Sequence, residues 1–344
     1  MKPTRHLDAD ISKALMILLI VFGHYIERLA DWNAAWKTPL LNLLYLIHIP
    51  TFVFLSGYFF KPQHTFAKIK TLLKLYLVFQ LIYTLYQTIV FTLPNYLNTQ
   101  DIPYQILDFL FYPYWIMWYL LSLILWYALT PLLCRTRFAL PIAVLAAVGV
   151  AWLPWNTYWF SLGRTLCFLP FFLLGHQYGK HIFAVLRQPA RTWHAPVLLI
   201  LILGVLTAFC LNANLPIQFI YGSFAFWQLG FDNMGGSVVR LLVLVFSLMG
   251  VAAALQTGII LAQWHISGVL AELGKRTLGV YLWHGFVVMA VQVWYPFTHD
   301  DTVSLLFSLF ATITSAWLLS RSWLQGLVYQ ISFNRNALKN GQSK

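Results

Sequence analysis

The sequence predicts an all-α polytopic membrane protein of about ten transmembrane helices with both termini cytoplasmic. Three observations carry that fold class. Hydrophobic side chains make up 60% of the 344 residues and charged ones 9%, which leaves too little polar side chain to cover a soluble domain. The apolar residues fall in continuous runs of bilayer-crossing length and do not alternate as the strands of a membrane barrel do. The basic residues segregate: with the N-terminus inside, Arg28, Lys37, Arg164 and Arg240 are the only ones of the 22 Lys and Arg that fall on the outer side.

In chain order the apolar runs place spans at about 12–30, 40–60, 72–93, 115–133, 138–154, 164–180, 195–212, 237–256, 276–296 and 303–321. The first is helix-long and no small-residue cleavage site follows it, so it reads as a retained span and not a signal peptide. The third is long enough to tilt or to extend past the membrane. The outer segments 94–114 and 213–236 are rich in aromatics, which suits an interfacial belt ahead of a sugar platform. The inner segment 257–275 is apolar enough to lie in the interface or re-enter the membrane. Residues 1–335 read as a single membrane domain and 336–344 as a polar cytoplasmic tail. The net charge of +12 follows from topology and contact with anionic lipid, and does not point to nucleic acid.

The stretch from Arg5 to Tyr25, RHLDADISKALMILLIVFGHY, carries the most chemistry. Lys13 and His24 are eleven residues apart, which on a helix returns to within about 20° of the same face. Asp10 falls within about 40° of that stripe. Ionisable groups inside a membrane helix are costly and usually mark a pathway or a site. His24 is therefore the first candidate for a general base or nucleophile. His48 lies in the second span beside Pro50, at a depth where the two imidazoles meet; a packing role is equally open to it. Ser56 and Gly57 suit tight helix packing. Lys61, Lys68, Lys70 and Lys74 form a basic inner segment, suited to an anionic ligand or to lipid headgroups. His284 reads as a packing or interface residue, and His176, His181, His194 and His299 as interface residues. No histidine pair or carboxylate cluster has metal-ligand spacing, so no metal is expected. Cys134, Cys167 and Cys210 are isolated and read as buried structural thiols.

Several short motifs occur in order: Lys13 and His24 with ten residues between them, HIPTFVFLSGYFF at 48–60, WIMWYLLSL at 115–123, FLPFFLLGHQYG at 168–179 and LGVYLWHGF at 278–286. Together they resemble the integral-membrane acyltransferase-three family, bacterial O-acyltransferases of about ten spans. The chain looks closest to the sugar O-acetylase branch that includes fucose 4-O-acetylase-like proteins. One element departs: where the family often has Arg-x-x-Arg after the second span, this chain has KIKTLLKLY, with Thr71 at the second arginine position and Leu75 where proline is common. Lysine supplies charge without a bidentate fork.

The resemblance implies a bacterial inner-membrane O-acyltransferase that takes acetyl from cytoplasmic acetyl-CoA to a hydroxyl of an envelope glycan or lipid-linked sugar. It implies catalytic roles for His24, His48 and Asp10, and CoA contacts from Lys13, Lys68, Lys70 and Lys74. The competing class is a non-enzymatic transporter or flippase of a lipid-linked glycan. It explains the spans and the intramembrane histidines, but not the ordered motifs, and no repeat symmetry supports it.

Overall fold

The computed structural model describes residues 7–92, 111–188, 194–295 and 300–332. Arg5, Asp101, Asp108, Arg191, His299, most of the outer segment 94–114 and the polar tail lie outside them. The regular structure of the described residues is all helical, without strands. In order the helices are α1 (Leu7–Leu29), α2 (Lys37–Tyr58), α3 (Thr65–Gln87), α4 (Trp118–Leu133), α5 (Ala139–Gly149), α6 (Leu162–Arg187), α7 (His194–Asn212), α8 (Asn233–Leu261), α9 (Ser267–Lys275), α10 (Thr277–Trp294), α11 (Asp301–Leu319) and α12 (Ser322–Ser332). Eight of the described helices are long and apolar enough to cross a membrane. The other two predicted spans correspond to α5, which is short, and to α6, which is long but carries Arg164, His176 and Gln177.

α1 is the centre of the bundle. It packs against α2, α8, α9, α10 and α11. Its ends follow the helix dipole: Asp8 and Asp10 sit in the first turn, and the ammonium of Lys37 closes the last. Lys37 is fully buried and donates to the carbonyls of Glu27 (3.1 Å) and Ala30 (2.7 Å), while lying 3.6 Å over the Trp32 ring. At the other end, Arg187 from the last turn of α6 pairs with Asp8 at 2.6 Å. α6 and α2 are thus fastened to the first and last turns of α1.

Glycines decide how closely the helices approach. A Cβ on Gly57 of α2 would lie 1.9 Å from the carbonyl oxygen of Phe172, and one on Gly175 of α6 would lie 1.9 Å from that of Phe54. The two glycines therefore face opposite backbones across one crossing. Pro50 lies inside α2 and lacks the N–H that would bond the Leu46 carbonyl. α8 fills that place, with Gly250 so close that an added Cβ would sit 2.6 Å from the same oxygen.

Two sequence expectations are refined. The inner segment 257–275 divides: its first residues complete α8, and after a turn α9 returns against the start of α1, where a Cβ on Gly274 would strike the Asp10 carbonyl. The long third run is α3 followed by a π-helical turn over Thr88–Thr92. One expectation is corrected. Cys167 and Cys210 are buried, but Cys134 is exposed because it caps α4, where the helix has left the packed core. Beyond the segment that precedes it, Asp232 caps α8 by accepting from the N–H groups of Met234 and Gly235. The Gly235 N–H, first among these donors, holds its carboxyl below the usual carboxylate range.

Candidate active site

His24 lies five residues before the end of α1 and faces a central cavity of about 70 Å³. Glu27 is three residues on, hence on the same face. The two side chains meet, with Nδ1 of His24 3.0 Å from a Glu27 carboxylate oxygen. A carboxylate offers only lone pairs, so Nδ1 carries the hydrogen of this contact, and in the neutral imidazole Nε2 then presents a lone pair. The hydroxyl of Tyr45 approaches the same carboxylate oxygen at 3.5 Å. The buried Lys37 holds the main chain of Glu27 in place.

Two further rings frame the imidazole. Trp115 meets it edge-on with centroids 4.7 Å apart, and His284 stacks on it at 5.4 Å. Trp115 opens the turn leading into α4 with φ +27°, a left-handed backbone that costs energy in a bulky residue. The surrounding packing therefore holds this ring against His24 despite local strain. His284 is fully buried; its Nδ1 donates to the Tyr281 carbonyl at 2.7 Å, and its Nε2 has no hydrogen-bond partner. His48 is also buried, lines the same cavity as His24, and lies against Tyr45 with ring centroids 4.9 Å apart. The expected meeting of the first two spans' histidines at one cavity is thus present.

The cavity shares walls with two larger spaces. Toward the end of the bundle that holds Lys13 lies a cleft of about 230 Å³, sharing Phe52, Tyr119 and Tyr281 with it. Toward the opposite end lies a vestibule of about 550 Å³, sharing Glu27, Trp115, Arg164 and Tyr221. Tyr119 separates cavity from cleft and is held by Ser56, whose hydroxyl is 2.7 Å from the Tyr119 oxygen. Tyr281 is held by its hydroxyl, which donates to the Ile116 carbonyl. The His24 cavity therefore lies between a cleft and a vestibule, bordering each through a shared wall.

Of the predicted anion-binding residues, Lys13 lines the cleft, and Asp10 pairs with it at 2.7 Å. Lys68, Lys70 and Lys74 stand exposed on α3 and none of them lines the cleft. No group of His, Cys, Asp or Glu among the described residues has the arrangement of a metal site. Sequence reasoning passed over Glu27, Trp115 and Arg164, and placed His284 on the packing side. Glu27 had a signal, the His-x-x-Glu spacing on one helix. Trp115 and Arg164 reach the cavity from the turn before α4 and from α6, and His284 reaches the His24 ring from α10; nothing local in their segments marks that.

A family model described as an acyltransferase domain, of the acyltransferase-three type, matches residues 6–321. The chain belongs to the acyltransferase-three family. Its match takes in α1 through α11, and with them every residue around the cavity. The acyltransferase is also similar to nodulation protein NolL of Mesorhizobium japonicum (strain LMG 29417 / CECT 9101 / MAFF 303099), 24% identical over 304 residues, which cover 82% of this chain and 76% of the relative. No solved structure matches it. The apolar helices and the family together make it a multi-pass membrane acyltransferase.

Proposed function

We propose that this acyltransferase moves an acetyl group from acetyl-CoA, entering at the cytoplasmic end, to a hydroxyl of an envelope glycan or lipid-linked sugar arriving from the outer face of a bacterial inner membrane. The observation that carries the reading is the place of His24: a base oriented by Glu27, at the junction of a cleft and a vestibule that open toward opposite ends. A transporter needs alternating access to one site; a transferase needs two substrates to meet at a base, and this geometry serves the second.

In this reading Lys13, oriented by Asp10, contacts the CoA phosphates at the cleft, and the exposed Lys68, Lys70 and Lys74 add positive potential near its mouth. The thioester arm follows the aromatic wall past Tyr119 to the cavity. His24 Nε2 accepts the proton of the acceptor hydroxyl as its oxygen bonds to the thioester carbonyl carbon. The carbon–sulfur bond then breaks, and the proton held on Nε2 passes to the departing thiolate. Glu27 keeps the imidazole in the tautomer that can accept, and steadies its positive charge in between. His48 lies close enough along the cavity wall to orient the acceptor.

The test uses radiolabelled acetyl-CoA with inverted and right-side-out vesicles holding the protein. Label is expected in the extracted glycan or lipid-linked sugar only when the donor reaches the cytoplasmic face. Absence of label from every glycan pool, with translocation of unmodified lipid-linked sugar, would replace this reading by the flippase. Within the same assay, Glu27→Gln is expected to lower turnover by about 100-fold or more, since an amide no longer fixes the tautomer. The donor KM should stay unchanged; a Glu27→Gln enzyme with wild-type kcat would remove Glu27 from the mechanism.

A further inference from the structure

We infer that the acceptor carries an anionic oxygen group, a sugar carboxylate or a carrier phosphate, and that Arg164 and Arg28 bind it in the vestibule. This adds a substrate class to the acetyl-transfer reading and rests on it. The argument starts from a scarcity. Only four of the Lys and Arg fall toward the outer end, where cations are disfavoured by topology. Two of the four have structural employment. Lys37 closes α1. Arg240 is fully buried, donates to the Cys167 sulfur at 3.3 Å and lies 4.4 Å over the Phe219 ring.

The remaining two, Arg28 and Arg164, line one vestibule. Arg164 is held in place from several sides. Its Nε donates to the Ser223 hydroxyl at 2.8 Å, and its guanidinium lies 4.7 Å from the Tyr158 ring, 5.0 Å from Tyr221 and 5.1 Å from Trp118. Arg28 lies 4.4 Å over Trp115, the ring that also touches His24. Its Nε is buried without a hydrogen-bond partner. Neither guanidinium comes within ion-pair distance of a carboxylate among the described residues; Glu27, the one carboxylate in the vestibule wall, attracts both at longer range while its oxygen is engaged by His24. No carboxylate meets either fork directly, and a guanidinium fork matches a carboxylate or phosphate. Thr84 and Thr88 bring hydroxyls to the same wall for the neutral part of a sugar. Because Arg164 borders the His24 cavity as well as the vestibule, the acetylated hydroxyl lies near the anionic group.

The test has a binding arm and a turnover arm. Radiolabelled pyrophosphate and glucuronate are titrated onto right-side-out vesicles, which shield the basic cytoplasmic end, with protein-free vesicles as blank. Saturable binding of one of them is expected for wild type and for His24→Ala, weakened at least tenfold in Arg164→Gln and in Arg28→Gln. Arg164→Lys, which keeps the charge and loses the fork, guards against a variant that fails to fold and should weaken binding severalfold. In the turnover arm, the acetyl label is expected in glycan retained by an anion exchanger. Mild acid that cleaves a lipid diphosphate would release the label from lipid if the anion is a carrier phosphate, and leave the label on acidic glycan if it is a carboxylate. Both arginine variants should raise the acceptor KM and leave the donor KM alone. Label confined to neutral glycan, with unchanged acceptor KM in both variants, overturns the inference while leaving acetyl transfer intact. Anion binding without acetyl transfer removes the acetyl-transfer reading and leaves the anion site. Neither binding nor transfer removes both.

Discussion

His24→Ala is expected to abolish acetyl transfer while the protein stays folded. A positioned general base contributes about 10²- to 10⁴-fold, and no carboxylate holds His48, the other imidazole lining the cavity. His284 stacks behind the ring, but its Nδ1 is committed to the Tyr281 carbonyl and it does not border the cavity. The fold should survive, because the side chain already faces open space and Ala enlarges a cavity without stranding a buried backbone group. Glu27 loses one partner and retains the approach of Tyr45. The measurement is single-turnover transfer beside a thermal melt of the purified protein in detergent. Near-normal turnover would remove His24 from the chemistry. Recovery of turnover in His24→Ala by added imidazole would identify the lost group as a base and not as a packing residue. Label on the wild-type protein that is lost to acid and to neutral hydroxylamine would instead favour a transient acyl-histidine.

The second large effect concerns assembly. Gly57→Val and Gly175→Val are each expected to prevent accumulation of folded protein. An added Cβ lies 1.9 Å from a backbone carbonyl oxygen at both positions, and a backbone carbonyl cannot rotate away as a side-chain tip can. Overpacking a core costs about 1–3 kcal/mol even where neighbours shift. Here α2 and α6 would have to separate, and the damage would reach the site directly. α2 carries Tyr45 and His48, and α6 carries Arg164. The check is the folded yield of each variant by size-exclusion fluorescence, with Gly204→Val as control, because a Cβ there meets nothing within 4 Å. Wild-type yield in both glycine variants would show that the crossing is looser than described.

The first helix was readable as a functional element from its own residues. Spacing along one helix is a local property, so Asp10, Lys13 and His24 fall on one stripe whatever surrounds them. The same spacing contained Glu27, three residues beyond His24, but an acidic residue near the outer end of a span has an ordinary topological reading that hid it. Gly57 was legible as a packing residue because small side chains in an apolar helix have few other uses. The lysines after the second span show the limit of such reading. Charge and proximity in sequence suggested one cluster, yet Lys13 reaches the cleft from α1 while Lys68, Lys70 and Lys74 point from α3 into the surroundings.

By itself, then, the sequence determined the helical membrane class, the approximate spans and the stripe on α1, since hydrophobic length and helical periodicity depend on neighbours along the chain. Only the tertiary structure decided which rings close around His24, that Glu27 orients it, that a cleft and a vestibule meet there, and that Arg28 and Arg164 face the same space. Those relations join residues from α1, α2, α4, α6 and α10. They are set by where the helices cross, and the crossings are set by glycine contacts and polar ties that connect residues more than a hundred positions apart.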